Sequence, residues 1–195
     1  ELREMVPLVR HASYLVHELQ RERGLSALLL GSRGAELARQ LDEQYLRTDE
    51  SRAILTDALL HAVDDEEGFL EALTLEDGTP LLEAANPLDI FPHLKDLEEH
   101  RSKMQRVGSD LQETLAFYSS LDGELLAFGV ELSRWTPDPD IVNLIWAHNA
   151  VARATDAADL ERLLLGQAIA TEKLSRDELA RLAALIGSQE VQLDI

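Results

Sequence analysis

Three arginines lie at positions where the helical pattern of this sequence calls for apolar side chains. Arg23 continues the stripe that contains Leu19, and Arg101 continues the stripe that contains Leu97. Arg162 takes the corresponding position in a third helical stretch. A guanidinium that loses its hydration costs several kcal/mol unless a partner compensates it. Each of three helices is therefore predicted to place one arginine on its buried stripe.

Two kinds of chemistry fit such arginines. If the heads converge, they form a pocket of planar, forked donors that suits a small planar oxyanion, each charge-assisted hydrogen bond contributing about 1.5–3 kcal/mol. Alternatively, the heads reach water or pair with carboxylates of neighbouring helices, such as Glu22, Glu99 or Glu161. A ligand pocket predicts heads around a space without a local carboxylate, whereas a structural network predicts heads that are already paired.

Residues near Arg23 are lesser candidates for the same site. Ser26 follows one turn later and either donates its hydroxyl to an anion or serves as a small packing residue. Gln20 is a neutral donor, and Arg21 is two residues away, on a different face of a regular helix. Gly24 interrupts the helix at a cost of about 1 kcal/mol relative to Ala, which indicates the close passage of another helix or a kink.

Composition excludes several other functions. The chain has 195 residues, a net charge of −19 and no Cys, which removes disulfides, zinc–thiolate sites, iron–sulfur clusters and thiol catalysis. The negative charge disfavours nucleic acid and anionic membrane surfaces as partners. None of the six histidines stands four residues from another, the spacing of a metal site on one helix. No phosphate loop or nucleophile motif is present, so we expect no enzyme, no cofactor and no metal.

The elements that position these residues all have helical periodicity. Gly and Pro turn signals and two capping boxes, at 109–112 and 175–178, mark the boundaries. The stretch 64–88 is predicted to be a loop or hinge. The predicted helices cover 4–30, 35–63, 90–107, 109–135, 139–172 and 175–195. No window alternates like a strand, so the fold class is all-α, with long antiparallel helices in bundles.

The segment 15–27 carries a longer motif. It reads Leu-x-x-x-Leu-Gln-x-Glu-Arg-Gly-x-Ser and resembles the signature of the nitrate- and nitrite-sensing (NIT) domain family. The Thr48-Asp49 pair, the stretch from Phe91 to Arg101, the Glu-Arg step at Arg162 and the run to Gln189 resemble later parts of the family pattern. The resemblance covers almost the whole chain. Around Arg162 the sequence departs from it, because leucines stand where the family often has Gly or Ala.

This resemblance implies two four-helix bundles that share long helices. Residues 1–195 would form a single sensor domain whose halves meet around 64–92. Nitrate or nitrite would bind between helices near the bundle interface, held by Arg23, Arg101 and Arg162. Two of the expectations above, the buried arginine stripes and the all-α class, do not depend on the family.

The arginine positions and the family resemblance together predict a sensor and not an enzyme. Ligand binding would rearrange helices and signal to an output module outside this segment of a longer protein, such as a chemoreceptor, kinase, cyclase or RNA-binding antiterminator. A homodimer is expected, without nucleic-acid binding or membrane insertion by this segment. The sequence leaves the location open; an extracytoplasmic, periplasmic region of a membrane receptor is favoured over a cytoplasmic one. The alternatives are a helical interaction or dimerisation module with structural Arg–Glu bridges, and a sensor of another small anion.

Overall fold

The computed structural model describes residues 2–32, 35–65, 91–107, 110–134 and 138–193. Every regular element in these ranges is an α-helix, so the predicted all-α class is confirmed. The helices are α1 (Leu2–Ser32), α2 (Ala35–Asp65), α3 (Pro92–Lys95), α4 (Leu97–Val107), α5 (Leu111–Ser133), α6 (Pro139–Thr171) and α7 (Arg176–Leu193). Within the same ranges, no helix is long and apolar enough to cross a membrane.

The predicted helix bounds agree with these elements, with one exception. The helix expected over 90–107 is divided at Asp96, where the backbone N–H donates to His93 O and closes the short helix α3. Pro92 begins α3, as suits a residue without a backbone N–H to place in the first turn. The loop expected over 64–88 lies outside the described residues, apart from its first two positions at the end of α2.

Local side-chain caps explain where three helices begin. The box at 175–178 is confirmed: Ser175 N donates to Glu178 Oε2 at 2.7 Å, and Glu178 N donates to Ser175 Oγ at 3.2 Å. Asp138 caps α6 and accepts from the backbone N–H of Asp140 at 3.0 Å. The box expected at 109–112 is shifted by one residue, because Asp110 is the cap and accepts from the backbone three residues later.

The chain divides into two compact units, 1–137 and 138–195. In the first unit, α1 packs against both α2 and α5. The apolar stripe of α1 is buried at Leu8, Ala12, Leu15 and Leu19, which accounts for its position between two partners. The arrangement as a single domain of two bundles that meet around 64–92 stays a prediction.

The second unit contains α6 and α7, which pack against each other. Glu172 ends α6 in the left-handed conformation, with φ of 52°, and its N–H returns to the carbonyl of Ala168. The buried residues of α6 include Ala150, Ala154 and Ala157. This helix carries apolar residues around its whole circumference, and Leu144, Trp146, Val151 and Ile169 are exposed.

Candidate functional site

One face of α1 presents three polar residues to the interior of the first unit. Gln20, Arg23 and Ser26 are spaced by three residues and therefore share a face. Arg23 and Ser26 have no exposed surface, and Gln20 is 8% exposed. The Gln20 Nε2 amide is buried without a hydrogen-bond partner among the described residues. A buried donor in this state costs about 1–3 kcal/mol unless something accepts from it.

Arg23 faces α5, where two of its contacts are known. Its Nη1 atom lies 3.5 Å from Asp122 Oδ2 and 3.4 Å from Ser119 Oγ. Both distances exceed the value of about 2.7–2.9 Å that is usual for a charge-assisted N–H···O bond. Asp122 is itself buried, at 1% exposure. Arg23 and Asp122 therefore form a buried ion pair between α1 and α5.

Arg101 is paired much more tightly. Its Nε and Nη2 atoms donate to the two carboxylate oxygens of Glu22 at 2.8 and 2.7 Å, in the forked geometry that favours arginine. Its Nη1 donates to Asp49 at 2.8 Å and to Glu98 at 3.1 Å. The guanidinium carbon lies 4.5 Å from the centre of the Tyr45 ring, which adds a cation–π contact. This head bridges α1, α2 and α4 in the manner of a structural network.

These contacts set the ionisation of the cluster. Burial opposes the charge on Arg101, but its hydrogen bonds to Glu22 and Asp49 outweigh burial and raise its pKa. Tyr118 donates its hydroxyl to Glu22 at 2.7 Å, and burial together with the Glu22 charge raises the pKa of this phenol. Burial and the same carboxylate raise the pKa of Tyr45. Glu22 is thus held by two helices beside Arg23.

The prediction that Arg162 lies on a buried stripe is wrong. The side chain of Arg162 is 78% exposed and pairs with Asp159, three residues earlier, at 3.0 Å. The other residues used for that stripe, Val151, Ala158, Leu165 and Ile169, are also exposed. The buried residues stand at other positions, including Ala150, Ala154, Ala157 and Leu164. Because α6 is apolar around its whole circumference, the pattern alone does not identify which face is buried.

The lesser candidates Gln20, Arg21 and Ser26 lie on two different faces of α1, as their spacing in a helix requires. Arg21 is exposed on α1, whereas Gln20 and Ser26 are buried beside Arg23. Of the two interpretations of Gly24, the close passage of another helix is wrong for the described part of the chain, because a Cβ built there would meet none of its atoms within 4 Å. Of the three predicted arginines, Arg23 and Arg101 lie in the first unit and Arg162 lies in the second. Ligand binding by each of them stays a prediction.

The sequence search missed the acidic residue that faces Arg23. Asp122 interrupts the buried stripe of α5, which includes Leu115, Tyr118 and Leu125. It is a charged residue on an apolar stripe, the signal that singled out the arginines. The same search applied to carboxylates would have found it. No group of three potential metal ligands is present in the described ranges.

Comparisons with known proteins agree with this all-helical structure. A solved structure described as that of the NasR transcription antiterminator is similar, with a TM-score of 0.81 and 23% sequence identity. The match covers 98% of this chain and 48% of that one, and at this identity it shows the fold alone. Comparison with curated proteins gives no significant match. The family model described as nitrate and nitrite sensing matches residues 14–195. The chain therefore belongs to the nitrate- and nitrite-sensing NIT domain family.

Proposed function

We propose that this sensor domain binds nitrate or nitrite at Arg23, between α1 and α5. The observation that carries the proposal is the fully buried Arg23, with Nη1 3.5 Å from Asp122 Oδ2, on the same face as the Gln20 amide, for which the described residues offer no hydrogen-bond partner. A planar oxyanion offers the guanidinium parallel acceptors and the amide a further one. Ser26, on the same buried face, provides a hydroxyl within the same region of α1.

Arg101 has a different role in this proposal. Three carboxylates, those of Glu22, Asp49 and Glu98, already surround its head. An added anion would face their repulsion, so Arg101 is better suited to position Glu22 and, through the chain, the adjacent Arg23. It is therefore proposed as a positioning residue, and its part in direct ligand binding rests on the family resemblance alone.

Signalling requires that the ligand distinguish two arrangements of the helices. In the proposed mechanism, nitrate or nitrite replaces the contact of Asp122 with Arg23, so that bound and free states differ in how α1 packs against α5. The change would pass to an output module in the same protein. The NasR chain is about twice as long as the matched segment, which is consistent with such a module. A homodimer is part of the proposal and is tested by light scattering of the purified domain.

A second candidate is a helical interaction module without a small ligand. The paired head of Arg101 favours it, because a structural network predicts arginines that already carry carboxylate partners. The exposed apolar residues of the second unit, such as Trp146 and Ile169, are also consistent with a partner surface. Under this alternative, neither nitrate nor nitrite binds.

Isothermal titration with nitrate, nitrite and chloride tests the proposal. The expected result is saturable heat with nitrate or nitrite and none with chloride. Arg23→Lys keeps the charge but loses the forked donor geometry, so affinity should fall by at least about tenfold. Arg21→Lys is the matched control, because Arg21 lies on the same helix and is exposed; its affinity should equal that of the wild type. Equal heat with chloride, or an unchanged affinity in Arg23→Lys, would contradict the proposal.

A further inference from the structure

Each buried arginine of the first unit lies beside a buried carboxylate from another helix. Glu22 accepts two hydrogen bonds of 2.7 and 2.8 Å from Arg101 and one of 2.7 Å from Tyr118. Asp122 Oδ2 lies 3.5 Å from Arg23 Nη1. Both pairs are shielded from water.

Asp122 presents Arg23 with nearly the same chemistry as the proposed ligand. A carboxylate and a nitrite ion each carry one negative charge on two oxygens bonded to a trigonal atom, and nitrate adds a third oxygen in the same plane. All three groups fit the flat fork of a guanidinium. Chloride lacks this shape. A ligand that approaches Arg23 therefore competes with a carboxylate that is already in the protein.

We propose that Asp122 is a specificity-determining residue, an internal anion that nitrate or nitrite must displace from Arg23. This inference rests on the proposed ligand site at Arg23. The apparent affinity is then the intrinsic affinity multiplied by the fraction of time that Asp122 leaves the guanidinium open. It also restricts binding to anions able to replace a carboxylate on a planar fork.

Displacement gives the ligand a way to act on the helices. Asp122 and Ser119 both contact Arg23 from α5, and Tyr118 on the same helix holds Glu22 on α1. Loss of the Asp122 contact would remove one contact between α5 and Arg23, and the hydrogen bond from Tyr118 to Glu22 would remain. The bound and free states then differ in a defined contact between α1 and α5, which is the difference that a switch needs.

Asp122→Asn tests the inference, because it removes the charge and preserves the shape. Titration with nitrate should give an affinity about tenfold higher than that of the wild type, since a neutral amide competes weakly for a cation. The ratio of nitrate to chloride affinity should fall. Asp57→Asn is the control: it removes one carboxylate from the exposed surface of α2 in the same unit and should leave nitrate affinity unchanged.

Thermal unfolding in nitrate and in chloride provides a second readout, which also serves if Asp122→Asn folds poorly. Asp122→Asn removes one negative charge beside Arg23, so an anion that binds there meets less repulsion. Nitrate should therefore raise the Tm of Asp122→Asn, and of Asp122→Ser, by more than it raises the wild-type Tm. Chloride at equal ionic strength should raise the Tm of the wild type by less than nitrate does.

The outcomes separate the two proposals. If the wild type binds nitrate and Asp122→Asn binds it equally or more weakly, Asp122 does not compete and only this inference is overturned. If the wild type gives no heat but Asp122→Asn binds nitrate, the substitution has created the site, and both the proposed function and this inference are overturned. If no variant binds nitrate or gains stability from it, the ligand site at Arg23 and the inference both fail.

Discussion

Arg101 and Glu22 form a two-pronged ion pair that joins α4 to α1 in the interior of the first unit. Both hydrogen bonds are short, at 2.8 and 2.7 Å, and the Glu22 side chain has no exposed surface. Glu22 immediately precedes Arg23 in the chain. The tight pair therefore fixes the backbone next to Arg23, which we propose as the ligand site.

Removal of one member of this pair should be strongly destabilising. Arg101→Met leaves the buried Glu22 without its main compensating charge, and we expect the free energy of unfolding to fall by about 3–5 kcal/mol. Urea unfolding followed by circular dichroism measures the change. Arg52→Ala is the control, because Arg52 makes only long, partly exposed contacts to Asp49 and Glu98, and should cost at most about 1 kcal/mol. A loss in Arg101→Met no larger than in this control would contradict the assignment.

His100 should make stability depend on pH below neutrality. Its ring stacks on Phe117 with centroids 4.1 Å apart, and burial, followed by the Lys103 charge, lowers its pKa, with Glu113 and Glu22 opposing the shift. The unfolded chain therefore takes up a proton near pH 6.5 more readily than the folded chain. The stability contribution is complete above about pH 6.5 and is lost as the pH falls from that value through the lower pKa of the folded state.

His100→Phe keeps a stacked aromatic ring and removes the titration. The difference in unfolding free energy between wild type and variant should shift in favour of the variant as the pH falls from 7.5 to about 5. Other titrating groups, including the carboxylates, are common to both proteins and cancel in this comparison. A difference that stays constant over that pH range would mean that His100 has the same proton affinity in both states.

Gly24 should be replaceable by a residue with higher helix propensity. Its position lies inside α1, where a Cβ would meet open space within 4 Å. Gly24→Ala should therefore raise the free energy of unfolding by roughly 0.5–1 kcal/mol through helix propensity alone. Chemical denaturation checks the value. Destabilisation would indicate that the helix passes something at Gly24 that the described residues do not include.

Sequence reasoning succeeded where the signal is local. Helix bounds follow from apolar spacing and from caps such as Ser175 with Glu178, which involve residues within one turn. The burial of Arg23 and Arg101 was predicted because α1 and α4 have one clear apolar stripe each. An apolar stripe determines which face of its helix is buried, and this can be predicted without knowing which helix packs against it.

Partners across helices were harder to predict. Arg23 and Asp122 are far apart in the sequence, so no local pattern indicates that they pair with each other. The chain has 37 acidic residues, and many of them are equally possible partners. The stripe at Arg162 failed for a different reason. Consecutive leucines at 163–165 place apolar residues on several faces of α6, so periodicity selects none of them. Only the packed structure distinguishes the buried face from the exposed one.

Substitution of Arg162 should affect the stability of the protein and its affinity for nitrate to different extents. Because its side chain is 78% exposed and its ion pair with Asp159 lies on the surface of the helix, Arg162→Ala should change the unfolding free energy by less than about 0.5 kcal/mol. The family resemblance nevertheless places this arginine at the ligand. If it contacts nitrate or nitrite, its loss removes a charge-assisted hydrogen bond, and affinity should fall by at least about tenfold.

Arg153→Ala is the matched control for Arg162→Ala. Arg153 is another exposed arginine of α6, and its substitution removes the same positive charge. Titration of both variants with nitrate distinguishes a direct contact from the general effect of a more negative protein. A decrease confined to Arg162→Ala would support a direct contact between Arg162 and the anion. Equal affinities would mean that this arginine only pairs with Asp159 at the surface, and that Arg23 holds the anion without it.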